Sequence, residues 1–151
     1  MRQSGCQRVT PTGAGGPAIS IFSDEEITFM ASQRLGRLAT VGADGQPHVV
    51  PVAFRYNPDT GTIDIGGHGG FATRKKWRDV QATGRASIVI DEVVAPWTPH
   101  AIEIRGTAET LDRGGESVQP SFDPELIRIT PRRIVTWGIP GNPNAGGRDA
   151  G

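Results

Sequence analysis

Cysteine is nearly absent: Cys6 stands alone and can form no internal disulfide. A reducing, cytoplasmic setting suits such a chain. Neither sign of charge is in excess, with 16 Lys and Arg against 16 Asp and Glu. That balance removes the electrostatic drive for non-specific nucleic-acid binding. No apolar run approaches the ~18 residues of a membrane span. Residues 1–20 carry an early arginine but no continuous apolar stretch, so a secretory signal is not expected. Only 3 histidines occur, none paired with cysteine at zinc-site spacing, and no metal site is expected. A Gly-x-Ser-x-Gly nucleophile turn is also missing. These absences set aside disulfide scaffolds, membrane spans, zinc modules and serine hydrolases, and leave a single domain of 151 residues.

Glycine and proline are abundant instead, at 21 and 12 residues. They imply many turns and argue against a helical bundle. The most informative stretch runs from Thr62 to Val80. Thr62–Ile65 alternates as a strand. Glycines follow at Gly66-Gly67 and Gly69-Gly70, on either side of His68, and then the cations Arg74, Lys75, Lys76 and Arg78. Glycine lets backbone approach a ligand closely or adopt positive φ. Amides at a helix start favour anions, and arginine and lysine just beyond complete a phosphate site. The spacing is neither that of a Walker loop nor that of a dinucleotide fold. A β-turn-α corner with a solvated basic face is the alternative reading.

Along the rest of the chain, Met1–Ser20 reads as a disordered tail, either a functional arm or a start-site artefact. Ser23 and Glu26 form a capping-box signature for a first helix. Gly36–Val41 and His48–Tyr56 are strands joined through Asp44-Gly45, a hairpin signal. Pro51 inside the second strand implies an edge, a bulge or a break, which leaves neighbouring backbone groups free for a ligand. Ala72–Ala82 reads as a helix with Trp77 and Val80 inward. Arg85–Asp91 and Ala101–Thr110 are strands either side of a break at Ala95–Pro99. Asp112–Asp123 is a loop, Pro124–Ile129 a short helix and Arg132–Ile139 a last strand. About six short strands with hairpin turns favour a small barrel, since closure removes exposed edges. The expected division is a tail at 1–20, a barrel domain at 21–139 and a flexible C-terminal tail at 140–151.

Acid/base machinery is scarce. Glu103 and Arg105 on one strand face suit a surface or rim pair. Trp97, between Pro96 and Pro99, suits a core or interface position or the wall of a planar ligand. A protein with a phosphate corner and few catalytic groups suits a cofactor that brings its own chemistry.

The ordered motifs Arg37–Val41, Asp44–Val52, Ile63–Gly66, Arg74–Val80, Gly84–Asp91, Trp97 and Ile102–Glu109 resemble the pyridoxamine-phosphate-oxidase-like split β-barrels. The likeness is greatest to the actinobacterial flavin/deazaflavin oxidoreductases that use coenzyme F420, and it spans Phe22 to Ile139. It implies a mainly β fold, a six-stranded antiparallel split barrel of the FMN-binding type, assembled as a homodimer with the cofactor between protomers. It implies that the strand at Val50, Pro51 and Val52 lies against the flavin-like ring. Arg74 and Lys76 would hold phosphate, with Thr73 and the turn Gly66-Gly67-His68 close by, and Trp97 would come from the partner. Gly84 stands where the family commonly has proline, and Gly69-Gly70-Phe71 is glycine-heavy for it. A longer C-terminal portion that recognises vitamin B6 in true oxidases is not seen after Trp137.

The leading expectation is therefore an F420-dependent oxidoreductase passing a hydride from reduced deazaflavin to a small organic acceptor. The alternatives are an FMN-dependent oxidase or reductase on the same fold, and a non-catalytic flavin or deazaflavin carrier.

Overall fold

The computed structural model describes residues 20–151. The expected tail at 1–20 lies outside them except for Ser20. Helix α1 (Asp24–Ala31) begins with the expected capping box. The Ser23 hydroxyl accepts from the Glu26 amide, and the Glu26 carboxylate accepts from the Ser23 amide. Six strands follow: β1 (Leu35–Val41), β2 (Pro47–Asn57), β3 (Thr62–Gly66), β4 (Arg85–Val94), β5 (Thr98–Leu111) and β6 (Leu126–Trp137). Between β3 and β4 lie a 3₁₀ turn (Phe71–Thr73) and helix α2 (Lys75–Thr83).

Every pairing is antiparallel, and the ring β3-β2-β1-β4-β5-β6 closes through β3 and β6. The fold is thus the expected mainly β, six-stranded antiparallel barrel. Its interior is built from alternating β-branched positions. Ile63, Ile65, Ile90, Ile102, Ile104, Ile127, Ile129 and Ile134 are all fully buried, with Leu38 beside them. Stiff β-branched side chains suit pleated strands. Full burial of each contributes about 1.5–3 kcal/mol relative to exposure.

The ring is not uniformly zipped. Strand β2 pairs with β1 from Pro47 to Ala53, but with β3 only from Ala53 to Asn57. Its other edge is therefore unpaired by β3 from Pro47 to Val52. Pro51 sits on that open edge, where a missing N–H costs no ladder bond.

Three expectations need correction. Pro124–Ile129 is not a helix: Leu126, Ile127 and Ile129 are buried members of β6, which continues unbroken to Trp137. Partners on both edges, β5 and β3, decide the matter against a local proline-led helix start. The break at Ala95–Pro99 shrinks to a tip, because β4 and β5 stay paired out to Val94 and Thr98. The C-terminal stretch 140–151 is not a loose tail. Gly146–Asp149 forms β7, which takes the part of the β6 edge that β3 leaves open, from Arg133 to Thr136. The Arg148 guanidinium then reaches both oxygens of the fully buried Glu26, at 2.6 and 3.0 Å, and donates to the Ile21 carbonyl.

Candidate functional site

Where β3 stops pairing with β2, the two strands part and leave a cleft. Its walls are Pro51, Val52 and Ala53 from β2, Gly66 and Gly67 from the end of β3, and His68, Phe71, Arg74, Lys76 and Phe122 from the segments beyond. The volume is about 240 Å³. Glycine is required at its floor. A Cβ on Gly67 would stand 2.8 Å from the Phe71 ring, and one on Gly66 3.0 Å from the Phe122 ring. The two rings therefore pack onto bare backbone, as only glycine allows.

The glycine corner is shaped by a residue that the sequence reading passed over. Gly69 and Gly70 have φ of +74° and +86°, a left-handed pair that turns successive amides to one side. The carboxylate of Asp123 accepts from the Gly70 and Phe71 amides at 3.1 and 2.9 Å. The Asp123 amide donates to the Gly67 carbonyl at 2.8 Å. Hydrogen bonds from these amides hold the Asp123 carboxyl below its usual range, against a smaller upward push from burial. The Gly70 and Phe71 amides are therefore not free for an external anion. An internal carboxylate holds them and ties the corner to the loop before β6. The signal was an aspartate more than fifty residues away, which no local pattern connects to the glycines.

The anion-binding capacity lies instead in side chains. Arg74 breaks the expected Ala72–Ala82 helix, with φ of −80° and ψ of 159°, and so separates the 3₁₀ turn from α2. One of its Nη atoms donates to the Gly69 carbonyl at 3.0 Å. The Lys76 Nζ lies 5.3 Å from the Phe71 ring centroid. Among the described residues neither cation forms an ion pair with a carboxylate. Burial pushes the Lys76 amine below its usual range, and the Arg74 charge pushes it further. Two cations facing one cleft without a counterion form a site that an anion would relieve.

Of the neighbouring cations, Lys75 has a carboxylate partner and Arg78, like Arg74, only a backbone carbonyl. Lys75 pairs with Asp79 at 3.0 Å, while Asp79 also accepts from the buried Thr40 hydroxyl at 2.8 Å. Arg78 donates to the Thr73 carbonyl. Of the residues singled out in the sequence, Pro51, Val52, Gly66, Gly67, His68, Arg74 and Lys76 meet around the cleft. Val50 packs on the core instead, and the Thr73 hydroxyl donates to the Gly70 carbonyl, which braces the corner. Trp97 stands at the β4–β5 tip, 77% exposed, and does not line the cleft of its own chain. Glu103 and Arg105 form the expected exposed pair at 2.9 Å.

A second, larger cavity has a volume of about 820 Å³. It runs between α1 and β2, with Met30, Ala31, Phe54 and Tyr56 among its walls.

The family model described as pyridoxamine 5'-phosphate oxidase matches residues 22–138. A Streptomyces rimosus 5a,11a-dehydrotetracycline/5a,11a-dehydrooxytetracycline reductase is 45% identical over 127 residues, covering 83% of this chain and 89% of that protein. An F420H(2)-dependent biliverdin reductase of Mycobacterium tuberculosis is 41% identical over 39 residues, which is 26% of this chain and 28% of the relative. Among solved structures, a Listeria innocua putative pyridoxamine 5'-phosphate oxidase superposes with a TM-score of 0.59 at 19% identity, covering 76% of this chain and 97% of that one.

Proposed function

This chain belongs to the pyridoxamine 5'-phosphate oxidase family, and we propose that it is an oxidoreductase that passes a hydride from reduced coenzyme F420 to a small organic acceptor. The observation that carries the reading is the pair Arg74 and Lys76, without a carboxylate partner among the described residues and beside the open edge of β2. Such a pair suits the phosphate common to flavins and deazaflavins. Gly66 and Gly67 let the Phe71 and Phe122 rings, which line the cleft, pack directly on the backbone. When bound, the reduced cofactor supplies the hydride to an electron-poor carbon of the acceptor, whose reduction is completed by a proton. The chain's own residues bind and orient: Arg74 and Lys76 hold the anion, Pro51 and Val52 offer the ring a flat strand edge, and Asp123 keeps the glycine corner in place.

The deazaflavin is preferred to FMN because one relative is named as F420H(2)-dependent. The two reductases support an electron-poor conjugated acceptor, such as an enone, a quinone or a tetrapyrrole. Lys75 is paired with Asp79, and Arg78, like Arg74, donates to a backbone carbonyl, so these neighbouring cations do not choose between the two cofactors. The working unit in this reading is a cytoplasmic homodimer. A cleft of about 240 Å³ falls below the roughly 300–1,000 Å³ of ligand pockets, so a second copy would complete its wall. Exposed Trp97, Val93 and Leu35 offer apolar surface for that contact.

Titration of apo-protein with F420 and with FMN, followed by turnover of the reduced cofactor with a conjugated enone, tests the reading. Micromolar or tighter F420 binding with turnover is expected. Purification as a yellow protein holding FMN, without affinity for F420, would replace the deazaflavin with flavin. Binding without turnover of any acceptor would make the protein a carrier.

A further inference from the structure

We infer that Lys76 is a covalent capture site for small aldehydes that carry an anionic group: its amine closes an imine with the aldehyde carbon while Arg74 holds the anion. The captured molecule then fills the anion site, so it competes with the cofactor. The inference uses the cation pair of the proposed function but does not depend on which cofactor that pair serves.

Lysine is confined to one place in this chain. Of 16 Lys and Arg residues, Lys75 and Lys76 are the only lysines. Every other cation among them is arginine, which stays protonated and is no nucleophile at neutral pH. A lysine can lose its proton, so side-chain amine chemistry is open to these two positions alone. The structure separates them. Lys75 is not in the cleft wall, and its Nζ lies 3.0 Å from the Asp79 carboxylate. Lys76 lines the cleft, half-buried, with its Nζ 5.3 Å from the Phe71 ring centroid. No carboxylate stands in the wall beside it.

Its surroundings are those of a reactive amine. A lysine becomes nucleophilic where it is desolvated or stands beside another cation. Lys76 meets both conditions: burial and then the Arg74 charge push its amine below the usual range. The other charged or titratable groups at this corner are His68 in the cleft wall and Asp123 behind it. The Asp123 carboxylate is engaged by the Gly70 and Phe71 amides. The face of Phe71 favours the ammonium, so attack goes through the fraction of Lys76 that has given a proton to solvent. The neutral Nζ adds to the carbonyl carbon, and the carbinolamine so formed loses water. A C=N bond replaces C=O, the oxygen leaves as water with both nitrogen protons, and nothing is oxidised or reduced.

Arg74 decides which aldehydes are kept. It is the second cation in the same wall, and a guanidinium holds phosphate or carboxylate through charge-assisted hydrogen bonds. An aldehyde anchored there meets the amine as a neighbour, which replaces a bimolecular encounter. The cleft volume of about 240 Å³ lies below the roughly 300 Å³ at which ligand pockets begin, so the captured molecule is small.

The test incubates the full-length protein with glyceraldehyde 3-phosphate and cyanoborohydride at neutral pH. The borohydride reduces the imine to a stable secondary amine, which peptide mapping locates. Lys76 should be labelled at least about tenfold faster than Lys75, and unphosphorylated glyceraldehyde should label Lys76 about tenfold more slowly than the phosphate does. Arg74→Ala should abolish the preference for the phosphorylated aldehyde. Lys76→Arg keeps the charge and the urea midpoint but should remove the label. The lead of Lys76 over Lys75 should shrink as pH rises and both become amines. Equal labelling of the two lysines, equal rates with the two aldehydes, or a phosphate preference that survives Arg74→Ala overturns the site. Bound F420 should protect Lys76. Selective labelling that F420 does not slow removes the cofactor from this cleft and leaves the capture site standing, whereas F420 binding beside unselective labelling does the reverse.

Discussion

The barrel carries cations in two kinds of setting. Arg128 grips the fully buried Asp64 with two hydrogen bonds of 2.9 and 3.0 Å, and Asn57 and Thr62 fill the remaining lone pairs of that carboxylate. Arg148 holds the equally buried Glu26 in the same way. Arg74 and Lys76, by contrast, share a cleft with no carboxylate. The first setting is complete within the chain, and its charges are spent on joining β3 to β6 and β7 to α1. The second has no carboxylate partner within the described residues, and the proposed function gives that vacancy to an anionic cofactor. Sequence shows the same residue types in both; only their partners differ.

The contrast breaks hardest at the completed pairs. Arg128→Met strands a buried carboxylate, and the expected loss of unfolding free energy is about 3–5 kcal/mol, read by urea denaturation. Arg148→Ala should cost a similar amount for the same reason. An Arg128→Met protein as stable as the parent would show that Asp64 tolerates its burial alone. At the open pair the effect moves from stability to binding. Arg74→Ala should weaken cofactor binding roughly tenfold to a hundredfold while leaving the urea midpoint within error. Unchanged titration curves in both Arg74→Ala and Lys76→Ala would reduce the pair to a solvated basic face.

The two settings should also titrate at opposite ends of the pH scale. Burial pushes the Asp64 carboxyl up, but hydrogen bonds from Arg128, Asn57 and Thr62 together with the Arg128 charge outweigh it, and the group ends below its ordinary value. A lowered carboxylate stabilises the fold fully above the unfolded pKa of ~3.9 and loses that contribution as pH falls through the folded value. Thermal melts from pH 6 down to pH 2 should therefore show an acid limb that Asp64→Asn makes shallower, Asp79 and Asp123 supplying the remainder. Lys76 is lowered by burial and by Arg74, so its charge is lost on the alkaline side earlier than an ordinary lysine's. Cofactor affinity should fall as pH rises toward that lowered value, and Lys76→Arg should flatten the decline. The smallest expected effect is at Asp123. Asp123→Ala should speed hydrogen exchange at the Gly70 and Phe71 amides and weaken the cofactor less than Arg74→Ala does. Unaltered exchange at both amides would remove Asp123 as the clamp of the corner.

Much of this fold was legible because its signals are local. Alternating isoleucines marked the strands of the barrel, the Ser23–Glu26 capping box marked α1, and Asp44-Gly45 marked the first hairpin. Pro51 announced an edge, a bulge or a break, and the β2–β3 register shows an edge. The misreadings share a different cause. Leu126–Ile129 has a local helix start in Pro124, yet β3 and β5 claim it from both sides. Gly146–Asp149 has almost no strand propensity of its own. It is a strand because β6 has a vacant edge and Glu26 a buried charge to neutralise.

By itself, the sequence determined most of the strand pattern, the position of the glycine corner and the residue types of the proposed anion site, since each depends on neighbours within a few positions. Only the tertiary structure decided which cations have a carboxylate partner. Asp79 lies one helical turn from Lys75 and could have been guessed, but Asp64 is sixty-four residues from Arg128, and Asp123 fifty-two from Phe71. Whether a charge is a structural bond or a waiting site depends on what the closed barrel brings opposite it. A one-dimensional pattern does not contain that separation in space.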